Sequence, residues 1–580
     1  MNRLRSLVAG GAFTAALTAV VYTAGAAAGL YPRPALILVA AGVVAAALAG
    51  VLARAPFESV PFRIGALAAG ASAYALDVLR AGAIGGLVVI AVVAAVVVAV
   101  IGPPLGRLVV RPIPGWLAVV GLIALAAVLV RIVVGGGELG HDEAAYALKA
   151  RAWLEGTPDT GWELHRGIGQ SVLALAVLPL SESALGLRLL SVVLSVGTVV
   201  AVWALGRTMR SDRVGIFAAA MFAVAPSFLR RGAEFLSDLP STGLLLIVTM
   251  LLWKWLTSEP ASDRYLFIAV AVAAAAFYIR YQSVLSLALL TVALLVVGWG
   301  RIQERGEAVA TAAGLGLVLL LPHFVWATLR TGRPWGVITF TAEAGRRAYL
   351  GEGIVDYIRD LPDLLAGQLG AVALLVAVGW FVWRTLGHDD RRPALFLAIP
   401  SLGQFLALGL ISHGEPRFVF FPVALMMVAA ALAVDDVHAR MPDWAYRAGT
   451  FTVAVAVIAS LGLHGARFDS YAESRGAEFA TLEEAAAVIA SESERQCGVI
   501  TGMRPQMTWL SGCHTALYDL EEVQIRLGPE FDRFLLLSEG GPREPDEELE
   551  AAYVALASGE PVRIDGEGSI GDVEIWRLRD

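Results

Sequence analysis

Charge is what this sequence has least of: only 16% of its 580 residues are Asp, Glu, Lys or Arg, and Lys149 and Lys254 are the only lysines among 44 basic residues. With a net charge of −7, no basic cluster, no zinc-ligand spacing and no phosphate-cradling glycine loop, the chain offers nothing to nucleic acid. Cysteine is nearly missing too; Cys497 and Cys513 are the pair, so no disulfide framework or thiolate metal site can organise the fold. What fills the chain is hydrocarbon. Hydrophobic residues make up 57% of it, and its mean hydropathy is +0.69. That composition belongs to a protein whose solvent is a bilayer.

A spanning helix needs about 20 mostly apolar residues in a row. Runs of this kind occupy 7–29, 34–53, 64–79, 81–102, 112–130, 186–206, 214–229, 239–256, 265–279, 281–299, 308–328, 364–383, 393–412, 417–434 and 448–464. The expected fold is an α-helical polytopic membrane protein of about 15 transmembrane helices. Cytoplasmic loops retain the basic residues. With Arg3 and Arg5 inside, the inside connections are 54–63, 107–111, 207–213, 254–264, 301–305, 384–392 and 440–447, each with at least two basic residues. The N-terminus is then cytoplasmic, and the loops at 135–183 and 330–363 and everything after about 465 lie outside. Residues 1–29 read equally as a cleaved signal peptide, which would leave the remaining topology unchanged.

The tail, 466–580, is richer in charge and reads as a small soluble α/β domain: helical over Ala472 to Arg495, β-like over Cys497 to Met503, Met507 to Ser511, Phe531 to Leu537 and Val573 to Leu578. Outside the cell its two cysteines are placed to form a disulfide; two buried thiols are the alternative.

Chemistry is expected where ionisable groups gather at the outer membrane boundary. One cluster is "GHDEAAYALKARAWLEG", with His141, Asp142, Glu143, Tyr146, Lys149 and Arg151 within about three helical turns. Another is "RRGAEFLSDLPST", with Glu234 and Asp238, and a third is "ISHGEPRFVFFP", with His413, Glu415 and Arg417. Arg280, with Tyr281 and Gln282, is a fourth. Taken singly, Asp142 and Asp238 serve equally well as helix caps. Taken together, all four clusters fall on one side of a topology derived from other residues. Acids beside outward-facing cations suit reaction at a lipid phosphate, with a cation on the leaving phosphate and a carboxylate on an incoming hydroxyl.

The order of "HDEAAY", "ALGLRLLSVVLSVGTVVAVWALGR", "SDLPST" and "HGEPRFVFFPVALMMVAAAL" resembles the GT-C glycosyltransferases of the protein mannosyltransferase and aminoarabinose transferase group, over about residues 112–465. The resemblance implies transfer of a sugar from a polyprenyl-phosphate donor to an extracytoplasmic hydroxyl acceptor, with inversion. It makes Asp142 the catalytic base, Glu143 its support, Asp238 a second acid of the site and Arg417 a donor-phosphate contact. Charge adds Arg280, Lys149 and Arg151 to the phosphate contacts, and His141, Tyr146, Glu234, His413 and Glu415 to the substrate contacts. Some relatives use a divalent metal; His141 and His413 lack ligand spacing and are read as hydrogen-bonding groups, so no metal ligand is assigned. Two departures stand out. Residues 1–111 add four spans before the core, with Asp77 and Arg80 their main charges, and the first loop reads "HRGIGQSVLAL" from His165 where relatives are proline-rich. A transporter or lipid-linked sugar flippase and a non-enzymatic assembly protein are the competing readings. The first would hold charges near the midplane, and the second would use the acids only as caps.

Overall fold

The computed structural model describes residues 115–580 except for short stretches, the longest being 159–165, 344–348 and 439–442. The expected spans within 1–111 and His165 lie outside the described residues. From residue 112 onward every expected span falls on a helix. These are α1 (Gly115–Gly135), α4 (Ala184–Met209), α5 (Asp212–Ala223) with α6 (Pro226–Gly232), α7 (Asp238–Thr257), α8 (Arg264–Ile279), α9 (Ser283–Glu304), α10 (Gly306–Thr331), α13 (Gly367–Gly387), α14 (Arg392–Ile411), α15 (Phe420–His438) and the first part of α16 (Asp443–Glu492). Between them lie shorter helices: α2 (His141–Glu155), α3 (Ile168–Ala174), α11 (Gly336–Glu343) and α12 (Glu352–Asp360). Among the described residues, seven helices are long and apolar enough to cross a membrane, eight if α5 and α6 form one broken span. α8 is apolar but shorter.

Small residues let these helices approach closely, the main source of packing where lipid is as apolar as leucine. A Cβ on Gly215 of α5 would overlap the Trp203 carbonyl of α4, and one on Gly243 of α7 would lie 2.8 Å from Thr198 Oγ1. At the centre runs α15, its span 83% buried, whereas α10 at the periphery is 11% buried. α5 and α6 meet at a 73° bend, where Pro226 opens α6 and cannot continue the backbone hydrogen bonding of α5. That bend carries Arg231 and Glu234 to the same end of the bundle as α2.

The last helix of the bundle, α16, is 50 residues long and crosses the expected domain boundary without a break. Its upper part packs through Phe479, Leu482, Ala485, Ala486 and Ile489 onto a five-stranded sheet of order β2-β1-β3-β5-β4. The strands are β1 (Gln496–Ile500), β2 (His514–Ala516), β3 (Phe531–Ser538), β4 (Val562–Ile564) and β5 (Val573–Arg577). β2, β1 and β3 are parallel, while β5 is antiparallel to both β3 and β4. The α/β character of the tail is as expected. One assignment is corrected: Met507 to Ser511 belongs to a helix, α17 (Arg504–Ser511). Pro505 sits in its first turn and Gly512 closes it at φ 71°, both normal helix boundaries. The remaining helices are α18 (Leu520–Arg526) and α19 (Glu547–Val554), and Cys497 and Cys513 form a disulfide.

Candidate active site

Seven separate stretches of chain deliver charge to one end of the bundle. α2 starts there because Gly140 is extended at φ −69°, ψ 172°, and Glu143 reaches back to accept the Gly140 N–H at 2.9 Å. This places Asp142 in the first turn. Arg417, in the short 3₁₀ turn Pro416–Val419 before α15, donates to Asp142 Oδ2 at 2.6 Å, and Arg166 forms an ion pair with Oδ1 at 2.9 Å. Asp142 is 28% exposed. Burial alone would raise its carboxyl pKa; the two guanidiniums outweigh that and hold it far below the usual carboxylate range.

From Arg417 the charges alternate away from Asp142. Arg417 Nε lies 2.6 Å from Glu415, Glu415 is 3.1 Å from Arg231, Arg231 is 2.6 Å from Glu234, and Glu234 is 3.0 Å from Arg475 of α16. Arg475 in turn lies 3.9 Å from Glu143. Beside this chain stands Asp238, buried at the start of α7 and 2.7 Å from Arg280. Arg280 and Arg417 both lie over the Phe418 ring, at 5.4 and 5.7 Å, so the two ion pairs share a wall. Among the described residues the cluster holds six guanidiniums against five carboxylates. The Glu138 carboxylate, whose field also acts on Arg188, brings the acids to six.

The two neighbouring acids of the Asp-Glu motif differ. Glu143 is 3% exposed and bound bidentately by Arg188 at 2.9 Å through both oxygens; it also accepts the backbone N–H groups of Gly140 and Phe235. Burial would raise its pKa, but Arg188 chiefly lowers it, to about 2. With every lone-pair direction engaged, Glu143 braces α2 and has no capacity to take a proton. Asp142, Arg417, Glu415 and Arg280, 18–28% exposed, form the outer face of the cluster, with Asp238 and Arg166 buried beside them. Glu143, Arg188 and Glu234, 3–8% exposed, form its inner face with Arg475 at its edge, and Arg231 joins the two.

Tyr146 is hydrogen-bonded to Ser237 at 3.1 Å, with Arg166 over its ring at 5.6 Å. His413 lies 3.7 Å from Glu415 and 5.5 Å from the Phe418 ring, and His141 adds to the positive field on Asp142. Two expected phosphate contacts point elsewhere. Lys149 lies over Trp153 at 6.0 Å, and Arg151 stacks 3.7 Å over Trp509 of the C-terminal domain. They sit farther along α2: Lys149, two turns on, stays on the Asp142 side of the helix but about 10 Å along it, whereas Arg151 lies about half a turn round from Asp142 and faces that domain. Arg166, Arg188, Arg231 and Arg475 join the site although the sequence does not single them out; Arg188 lies within a quoted motif and Arg231 follows Arg230. Arg230 itself stacks on Tyr471 at 4.6 Å. Among the described residues no group of three His, Cys, Asp or Glu is arranged to hold a metal ion, and the acids here are each taken by arginine, so the donor set does not fit one.

Next to the cluster is an apolar cavity of about 440 Å³ between α12, α13, α14 and α15, lined by Ile354, Tyr357, Leu374, Phe405 and Met426 among others. α12 ties it to the site, since Asp356 accepts the N–H of Gly414 at 3.2 Å, one residue before Glu415.

Residues 171–326 match the family model of dolichyl-phosphate-mannose-protein mannosyltransferases. The fold superposes on the crystal structure of ArnT from Cupriavidus metallidurans bound to undecaprenyl phosphate with a TM-score of 0.58 at 14% identity, covering 81% of this chain and 99% of that one. For the apo state of the same protein the TM-score is 0.57 at 14% identity, with 80% and 98% covered. The oligosaccharyltransferase of Archaeoglobus fulgidus in its apo form gives 0.51 at 13% identity, with 72% and 69% covered. No curated protein matches by sequence. The resemblance seen in the motifs is thus borne out: the chain has the helical architecture of these membrane glycosyltransferases and, at its C-terminus, a small sheet-containing domain.

Proposed function

We propose that the protein is a membrane glycosyltransferase that moves a sugar from a polyprenyl-phosphate donor to a hydroxyl acceptor outside the cytoplasm, with inversion and with Asp142 as general base. The observation that carries this is Asp142 held between Arg166 and Arg417, in a cluster of alternating charges, beside an apolar cavity. The neighbours' names fit: ArnT was crystallised with undecaprenyl phosphate, and the matching family model is named for a dolichyl-phosphate sugar.

With Arg166 and Arg417 on its two oxygens, Asp142 is too acidic to act as a base, since a base works best with a pKa near the working pH. A donor phosphate supplies the release. Its oxygens compete for Arg417 and Arg280, bidentate recognition being what guanidinium geometry favours. Losing Arg417 raises the Asp142 pKa toward the ordinary range. Asp142 then takes the acceptor hydroxyl proton as that oxygen bonds to the anomeric carbon. The carbon–oxygen bond to phosphate breaks, and the lipid phosphate leaves with the electron pair, held by Arg417 and Arg280. The apolar cavity, about 440 Å³, has room for the first few isoprene units of the prenyl chain, the rest lying in lipid. In this reading the cluster and the C-terminal domain face outside, where an oxidising compartment would maintain the Cys497–Cys513 disulfide. The acceptor is a hydroxyl of a cell-wall polysaccharide, a lipid or a protein.

The test is turnover of radiolabelled polyprenyl-phosphate sugars by purified protein, comparing wild type with Asp142→Asn. One donor should be consumed by wild type, and the variant should be slower by about 10²–10⁴-fold while still folded. Equal activity of the two would end the assignment of Asp142 as base.

A further inference from the structure

α2 carries Asp142, yet much of what holds α2 comes from the end of the chain. At its start, Gly137 turns the chain with φ +60° and packs so closely on α16 that a Cβ would lie 2.9 Å from Gly476 Cα. There Arg475 pairs with Glu234 at 3.0 Å and lies 3.9 Å from Glu143. Farther along α2, the C-terminal domain inserts Trp509 of α17 into the cluster formed by Leu139, Tyr146, Ala147 and Ala150. Its indole N–H donates to Glu138 at 2.9 Å, its carbonyl accepts from Arg151 at 3.2 Å, and the Arg151 guanidinium covers its ring at 3.7 Å. The Cys497–Cys513 disulfide closes the segment that carries α17.

We propose that Arg475 and Trp509 are positioning residues, through which the C-terminal domain sets the placement of Asp142 and the grip on Arg417. This rests on the transferase reading above. Trp509 acts through the orientation of α2. Arg475 acts through charge: it shares Glu234 with Arg231, and Arg231 shares Glu415 with Arg417. Remove Arg475 and Glu234 draws Arg231 to itself. Glu415 then holds Arg417 harder, and Arg417 yields less readily to a phosphate.

The two residues therefore leave different kinetic signatures in the full-length protein with the donor that wild type consumes. Trp509→Ala lowers kcat by about 10-fold or more through misplacement of the base, with donor KM within about twofold of wild type. Trp509→Phe, which keeps a ring and loses the N–H, recovers part of it. Arg475→Ala raises donor KM by about 3- to 10-fold, the coupling expected within one ion network. Adding Glu234→Gln to Arg475→Ala returns KM toward wild type, because the acid that Arg231 would follow is neutral. A structural lesion would not be repaired by a second one. Unchanged kinetics in folded Trp509→Phe and Arg475→Ala, or additive losses in the double variant, would overturn the proposal. If wild type turns over and Asp142→Asn does not while these variants match wild type, this inference alone fails. If wild type consumes no donor, the transferase reading fails and takes this one with it.

Discussion

The inner and outer faces of the ion cluster are built from the same two chemical groups, carboxylate and guanidinium, and behave as different materials. On the inner face Glu143 and Arg188 are each 3% exposed, and four donors converge on one carboxylate. On the outer face Asp142 is 28% exposed and Arg417 divides itself between two acids. A sealed pair has no reason to exchange partners, whereas a shared, partly wet one can surrender a cation to a phosphate at modest cost. Adjacent positions in the sequence, Asp142 and Glu143, are thereby assigned to reaction and to support.

Breaking each face separately tests that division. The largest effect expected on folding is from Glu143→Gln, which leaves the Arg188 charge buried without its counter-ion and costs about 3–5 kcal/mol. Thermal melts should show a large fall in Tm, with activity lost alongside fold. Asp142→Asn keeps an oxygen for its arginines and costs about 1–2 kcal/mol by the same melts, while activity falls far more. Reversed ranks would mean that the faces have been assigned the wrong way round. Arg417→Lys keeps the charge but not the fork; donor KM should rise roughly tenfold, the worth of one charged hydrogen bond of about 1.5 kcal/mol, in a donor titration.

A milder probe is acid. Burial would raise the pKa of Glu415, but His413, Arg417 and Arg231 lower it from 4.5 to about 2. A depressed carboxylate contributes stability that is fully present above its unfolded pKa, near 4.5, and lost as pH falls through about 2. Melts should therefore be insensitive to Glu415 from neutrality to about pH 5, and wild type should lose more than Glu415→Gln between about pH 4.5 and 2. The smallest effect is expected at the other end of the bundle, away from the cluster. Arg210, 47% exposed, pairs with Asp435 at 3.1 Å, and Arg210→Ala should cost about 1 kcal/mol or less with turnover unchanged.

How much of this is visible in the sequence depends on range. The spans are readable because hydrophobic length is a local property, and so are Asp142, Asp238, Arg280 and Arg417, which stand at span ends where charge is conspicuous. Their partners are not. Arg188 meets Glu143 across 45 positions, Arg475 meets Glu234 across 241, and Arg417 meets Asp142 across 275. Helical periodicity reaches only three or four residues. Within α2 closeness in sequence also misleads: Arg151 lies about half a turn round the helix from Asp142 and faces Trp509 of the soluble domain, and of the two only Lys149 shares the Asp142 side. α17 escapes for a related reason: Met507, Thr508, Trp509 and Leu510 look like a strand, and Pro505 and Gly512, which bound a helix, lie just outside that window.

The unbroken length of α16 has one more consequence. At 1.5 Å per residue its 50 residues extend about 75 Å, well over twice the roughly 30 Å of bilayer hydrocarbon. Such a helix records phase as well as height. One residue inserted between the membrane and Arg475 would lift the sheet by about 1.5 Å and swing it through about 100°, turning Trp509 away from Glu138. Seven inserted residues would restore the phase to within about 20° yet lift the sheet by about 10 Å, so this segment sets height and phase together.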